Sequence, residues 1–162
     1  MKSDSEMLNN MARFCSQAER CLSDVRQKIK AEGLSEEAEK RITDRLTKEK
    51  FIDEERFCRS FVYDKFKFNH WGRIKICYEL KKRNINPDLY NDAICAIIDE
   101  TEYISVLTDI LRNKKRTVKG RSSQDVFQKL CRFASAKGFE IPVIINTLKS
   151  IIKDTDHESF SE

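Results

Sequence analysis

Glycine and proline are scarce, with four and two in 162 residues. So few turn formers argue for helices joined by short loops rather than for hairpins. No apolar–polar alternation of period two survives beyond a few positions, so no sheet is expected. Long apolar runs are missing as well. The longest, Ile141–Ile145, is interrupted by Pro142 and is far shorter than the ~20 residues that span a bilayer. The opening stretch MKSDSEMLNN has no apolar signal core, so the expected location is cytoplasmic, away from any membrane. Histidine occurs only as His70 and His157, far apart, and no Gly-rich phosphate loop is present. Neither histidine sits in a motif that would activate a nucleophile. No catalytic residue, metal site or cofactor is therefore expected, and the chain reads as a non-enzyme.

Cysteine is less scarce, but its spacing excludes most of its chemistry. Cys15, Cys21, Cys58, Cys77, Cys95 and Cys131 form no C-x-x-C pair and have no histidine at ligand spacing. Most fall on or beside apolar helix faces, as Cys58 does beside Phe57 and Cys95 beside Ile94. They are expected to be small buried residues, kept reduced.

What is abundant is charge, at 36% of residues against 40% hydrophobic, with a net charge of only +4. Helical periodicity organises it. Met7, Met11, Phe14, Cys15 and Ala18 place a helix over about residues 6–19. Leu22, Val25 and Ile29 place a second, stopped by Gly33 with Leu34 folding back on its last turn. Ser35 caps a third, with Glu36 and Glu37 in its first turn and Ala38, Ile42 and Leu46 on its buried face.

The middle of the chain, Phe51–Ile85, holds the only Trp and five of the ten Phe. Asp53 is placed to cap a helix whose apolar face is Phe57, Phe61, Val62 and Phe66. A second helix is expected to start near His70, with Trp71, Ile74, Tyr78 and Leu80 among its apolar members. The spacing of Val25, Ile29, Gly33 and Leu34 returns as Ile76, Leu80, Asn84 and Ile85, and again as Leu130, Ala134, Gly138 and Phe139. Asn86-Pro87 opens the helix that follows the second copy, with Leu89, Tyr90, Ala93, Ile94, Ile97 and Ile98 on its apolar face. After the third copy, a helix bears Val143, Ile144, Leu148, Ile151 and Ile152. The stop positions 33, 84 and 138 lie 51 and 54 residues apart. Repeats of this length suit a stacked helical array, although unrelated amphipathic helices would also fit.

The middle stretch resembles the RecX family of bacterial regulators of the RecA recombinase. The matching residues are Phe51–Phe57 (FIDEERF) with Arg59, Ser60, Phe61 and Val62, then Trp71–Ile76 (WGRIKI), Glu79-Leu80 and Lys82–Ile85. Lys129–Phe139 (KLCRFASAKGF) also matches, and Glu19–Lys28 (ERCLSDVRQK) keeps only part of the family pattern. Asn84 stands where the family usually has Gly, a mild departure because Asn tolerates the left-handed conformation. The resemblance implies an all-α fold of three tandem three-helix repeats in an elongated, curved array. The expected boundaries are 1–52, 53–100 and 101–153, with an acidic tail at 154–162.

Two basic clusters are the candidate contact residues. The first is Arg73, Lys75, Lys81, Lys82 and Arg83, in a stretch, Asp64–Arg83, with seven basic residues against two acidic. The second is Arg112, Lys114, Lys115, Arg116, Lys119 and Arg121, six positive charges in ten residues. Each alone also reads as a solvated face with cations at a helix C-terminus. The acids lie elsewhere, in excess over Glu36–Glu55 and after Ile152, so the molecule is asymmetric in charge.

The resemblance implies a partner, the RecA filament, in whose groove the protein would lodge to limit ATP turnover and strand exchange in recombination and repair. Lysine and arginine contacts to single- or double-stranded DNA phosphates would add affinity without sequence readout. Phe66, Phe68 and Trp71 have the chemistry to stack on bases but are expected in the core. Two other readings stay open: an autonomous helical DNA-binding protein, and a scaffold for an acidic protein surface. No dimerisation segment is seen, so a monomer is expected.

Overall fold

The computed structural model describes residues 2–160, with side chains described through 155. Among the described residues there are nine helices and no strand: α1 (Asp4–Gln17), α2 (Leu22–Ala31), α3 (Glu36–Lys48), α4 (Glu54–Lys67), α5 (Arg73–Lys82), α6 (Pro87–Ile97), α7 (Glu100–Lys115), α8 (Ser123–Ala136) and α9 (Ile141–Phe160). The fold is an all-α helical array. None of these helices is long and apolar enough to cross a membrane. The expected acidic tail falls largely outside the residues whose side chains are described.

Local chemistry sets the ends. α1 starts two residues before its expected position because Ser3 and Glu6 form a reciprocal capping box. The Ser35 hydroxyl accepts the Ala38 N–H and the Asp53 carboxylate accepts the Arg56 N–H, which fixes the starts of α3 and α4. The expected stops are left-handed, with φ of 78° at Gly33, 56° at Asn84 and 98° at Gly138. At the last two, the next residue donates back into the helix: Ile85 N–H to the Leu80 carbonyl (3.5 Å) and Phe139 N–H to that of Ala134 (3.2 Å). Lys50, at φ 62°, closes α3 in the same way without being glycine or asparagine.

Two compact units emerge. One contains Met1–Val62 and Glu79–Ala93, the other Tyr63–Tyr78 and the chain from Ile94 onward, so the division falls inside α4, α5 and α6. In the first unit, α1 and α2 pack on α3 around Met7, Met11, Val25, Ile29, Ile42, Leu46 and Ile52. In the second, α7, α8 and α9 pack on one another, and the rings of Phe66, Tyr103 and Phe139 line up with centroids 5.9 and 5.0 Å apart.

Several expectations are corrected. α5 starts at Arg73, not near His70, and His70 sits at φ 56° in the connection. The reason is non-local. The Gly72 and Ile74 N–H groups donate to the carbonyls of Lys137 (2.8 Å) and Gly138 (3.0 Å), so the end of α8 satisfies the start of α5. A Cβ on Gly72 would overlap the Gly138 carbonyl and the Phe139 nitrogen, so only glycine allows this approach. Phe68, expected in the core, is 72% exposed, and the apolar Ile74, Tyr78 and Ile152 are exposed as well. Phe66 alone of the three possible stacking rings is fully buried. Among the cysteines, Cys15, Cys21 and Cys58 are buried as expected, Cys77 and Cys131 are half-buried, and Cys95 is exposed.

Candidate functional site

Arg73, the first residue of α5, was grouped with the contact residues by its charge, and the structure commits it elsewhere. Its guanidinium is paired with Glu100 (2.8 Å) and Glu140 (2.7 Å) and lies 3.9 Å from the centre of the Tyr103 ring. The Arg73 N–H donates to the Tyr103 hydroxyl (3.1 Å), which in turn donates to Glu140. Burial, and then the bond to Glu140, push the Tyr103 hydroxyl well above its ordinary range, so it stays a donor. Arginine's planar fork suits this double carboxylate contact. The network went unseen in the sequence because Glu100 and Glu140 lie 27 and 67 residues away. Only the four-residue spacing of Tyr103, Leu107 and Leu111, all fully buried, hints at it.

The rest of the first cluster stays nearer the solvent. Lys75 is half-buried, its ammonium 4.3 Å from the Trp71 ring centre, and Lys65 approaches the same ring at 4.8 Å. Lys81 and Lys82 occupy the last turn of α5, where cations suit the helix dipole, and both are exposed. Lys82 lies 3.9 Å from Glu79. Arg83 bonds the Glu79 carbonyl (3.1 Å), and its guanidinium sits 5.0 Å from the Phe61 ring centre.

The second cluster is built on the end of α7. Arg112, Lys114 and Lys115 fall in its last turn and Arg116 is its C-cap. The turn is closed by the Thr117 and Val118 N–H groups, both donating to the Lys114 carbonyl at 3.0 Å. Beyond it, Lys119 and Arg121 flank Gly120 on a loop held by its own backbone. The Lys129 ammonium donates to the Lys119 carbonyl (2.7 Å), and the Arg121 N–H donates to Asp125 (3.0 Å). That backbone bond comes first among the influences holding the Asp125 carboxyl below the usual range.

Three of the six cations converge. Arg112, Lys115 and Arg116 line a recess of about 480 Å³ together with Ile151, Asp154 and Thr155. Arg112 approaches Asp154 at 3.4 Å, and Lys114 lies 5.0 Å from the Phe133 ring centre. No carboxylate among the described residues pairs with Lys81, Lys115, Arg116, Lys119 or Arg121. Such an arrangement offers multipoint electrostatic contact to anionic groups.

Comparison with known proteins shows what the chain and its fold are similar to. Residues 53–94 match the family model described as RecX, second three-helix domain. The regulatory protein RecX of Clostridium botulinum is 30% identical over 131 residues, covering 79% of this chain and 60% of its own. That of Halalkalibacterium halodurans is 27% identical over 148 residues, covering 91% and 55%. The chain thus spans about 55–60% of the length of these curated relatives. The crystal structure of RecX from Lactobacillus salivarius superposes with a TM-score of 0.79 at 18% identity, covering 91% of this chain and 95% of that one. The match over the middle helices, the similarity along most of the chain and the shared fold agree, and together they support a protein of the RecX family.

Proposed function

We propose that the protein is a non-enzymatic regulator that binds the RecA recombinase filament and limits its ATPase and strand-exchange activity. The relatives are named regulatory proteins, which supports the class. The observation that carries the contact site is the run Lys115, Arg116, Lys119 and Arg121, which has no carboxylate partner among the described residues. Like charges held together without compensation repel one another, and an anionic partner relieves that repulsion. Lys75, Lys81, Lys82 and Arg83 form the second contact region in this reading. Arg73 belongs to the fold instead, because its charge is already met by Glu100 and Glu140.

The mechanism is occupancy. Three-helix repeats, with boundaries near 52 and 100, present basic residues to successive protomers and to the DNA backbone they enclose. Binding then blocks filament extension or the conformational cycle. Cytoplasmic residence and a monomeric state go with this reading.

The test is the DNA-dependent ATPase rate of the cognate recombinase, titrated with the protein beside a binding curve on bare single-stranded DNA. Inhibition is expected at concentrations too low to coat the bare DNA. Reversing charge at Lys81, Lys82 and Arg83, or at Lys114, Lys115 and Arg116, should weaken filament binding with helicity intact, and binding should fall as salt rises. Equal binding by wild type and both variants at low and moderate salt would refute the assignment. Tight, salt-sensitive binding to naked DNA without effect on the ATPase would favour an autonomous DNA-binding protein.

A further inference from the structure

A second feature adjoins the basic recess, and charge does not account for it. Between α8 and α9 lies a trough of about 400 Å³ walled by Val126, Phe127, Leu130, Leu148, Ile151 and Ile152. Lys115 stands at its rim and lines the recess as well, beside Arg112 and Arg116. Ile152 is 43% exposed although helical spacing puts it on the apolar side of α9. An apolar wall left open next to cations is a two-part surface: one part rewards burial of hydrocarbon, the other rewards negative charge.

We propose that this trough docks a short acidic segment of a partner protein, with a Leu- or Phe-sized side chain in the trough and carboxylates on Lys115 and Arg116. The choice of a protein segment rests on complementarity. Phosphates would engage the cations but leave the exposed Ile152 and the half-buried Val126 and Phe127 without cover, and a base would set its polar edges against walls that are mostly hydrocarbon, with Ser122, Ser123 and Thr155 as the hydroxyls among them. An acidic peptide with an apolar anchor satisfies both parts at once. The only acid lining the recess among the described residues, Asp154, already faces Arg112 at 3.4 Å, so Lys115 and Arg116 are the cations left to an incoming carboxylate. The inference does not depend on the recombinase reading, since it specifies the chemistry of a segment and not the identity of its owner.

The experiment uses the full chain and a fluorescein-labelled peptide of alternating Glu and Asp interrupted by two Leu and one Phe, followed by anisotropy. One control peptide has the Leu and Phe replaced by Ala, and the other has its acids replaced by Lys. The parent peptide should bind at least about tenfold more tightly than either control, the effect of burying one or two large apolar side chains beside a matched charge. Ile152→Ser, at an exposed position and without change of charge, should lose severalfold, and Arg116→Glu should weaken binding severalfold and flatten its salt dependence. A labelled oligothymidylate titrated in parallel should be unaffected by Ile152→Ser. Three results would overturn the inference. In one, the Ala peptide binds as tightly as the parent. In another, Ile152→Ser binds the peptide like wild type. In the last, Ile152→Ser weakens the oligonucleotide as much as the peptide, which would give the trough to nucleic acid. Recombinase inhibition is read separately, so failure of either reading leaves the other standing.

Discussion

Gly33 and Gly138 end helices with the same backbone conformation, yet alanine should cost very different amounts at the two. At Gly33, φ is 78° and an added Cβ would meet nothing within 4 Å. The cost there is the left-handed conformation alone, about 1–2 kcal/mol, partly offset by the smaller entropy of an unfolded chain with Ala. At Gly138, φ is 98°, the Cβ would overlap that of Lys75, and it would lie 2.7 Å from the Lys75 nitrogen. Relief requires moving the first turn of α5, whose Gly72 and Ile74 N–H groups are bonded to the carbonyls of Lys137 and Gly138. Strain of about 1–3 kcal/mol, plus one or two weakened hydrogen bonds at about 0.5–1.5 kcal/mol each, gives about 2–6 kcal/mol for Gly138→Ala. Set against a typical stability of about 5–15 kcal/mol, that is a large fraction. Urea unfolding, followed by circular dichroism and by the fluorescence of Trp71, should show a midpoint about 1–3 M lower for Gly138→Ala and less than about 1 M lower for Gly33→Ala. Asn84, at φ 56°, is closest to the left-handed minimum, so Asn84→Gly should shift the midpoint little. Equal shifts at Gly33 and Gly138 would refute the argument, because conformational strain would then account for both and the close approach of α5 for neither.

Two further predictions concern buried groups. Tyr103→Phe removes the hydroxyl that accepts the Arg73 N–H and donates to Glu140, and should cost about 1–2 kcal/mol in thermal unfolding. Its effect should be non-additive with Glu140→Gln, since both act on the same bond; strict additivity would separate the two residues. Burial pushes the Cys21 thiol up to about 12 and the Cys58 thiol up to about 11, so their thiolates are scarce near neutral pH, whereas Cys95 is exposed. Alkylation of the folded protein, read by mass spectrometry, should modify Cys95 first and reach Cys21 and Cys58 only on unfolding. Labelling of either buried thiol at the Cys95 rate would contradict the packing.

Features decided within a turn or two were legible in the sequence. Ser35 and Asp53 cap as their side chains require, and Asn84 takes the left-handed stop that its position after Leu80 implies. Features decided at long range were not. Local spacing puts a helix start near His70, because nothing local reveals that the Gly72 and Ile74 N–H groups find acceptors some 65 residues away, at Lys137 and Gly138. Ile74 and Tyr78 count among the apolar residues of α5, yet the helix buries Ile76 and Leu80 and leaves those two exposed, a choice of face that the spacing of apolar residues does not decide. The Trp71–Ile76 and Lys129–Phe139 stretches that carry the family resemblance meet here, backbone to backbone.

The same distinction separates the cations. Lys81, Lys82, Arg112, Lys114 and Lys115 all stand in the last turn of a helix, where a positive charge stabilises the fold by about 0.3–1 kcal/mol with no partner involved. Their presence alone therefore argues weakly for function. Arg73 is explained fully by Glu100, Glu140 and Tyr103. Arg116, Lys119 and Arg121 are different: Arg116 is the C-cap, and the other two lie beyond it, where the dipole's effect has faded. Their loop is secured through the Lys119 carbonyl and the Arg121 N–H, so the side-chain charges contribute nothing to holding it. Charge reversal at Lys119 and Arg121 should then leave stability within about 0.5 kcal/mol of wild type. A drop in filament binding in that stable variant would assign the charges to the partner, and unchanged binding would move the contact to the end of α7.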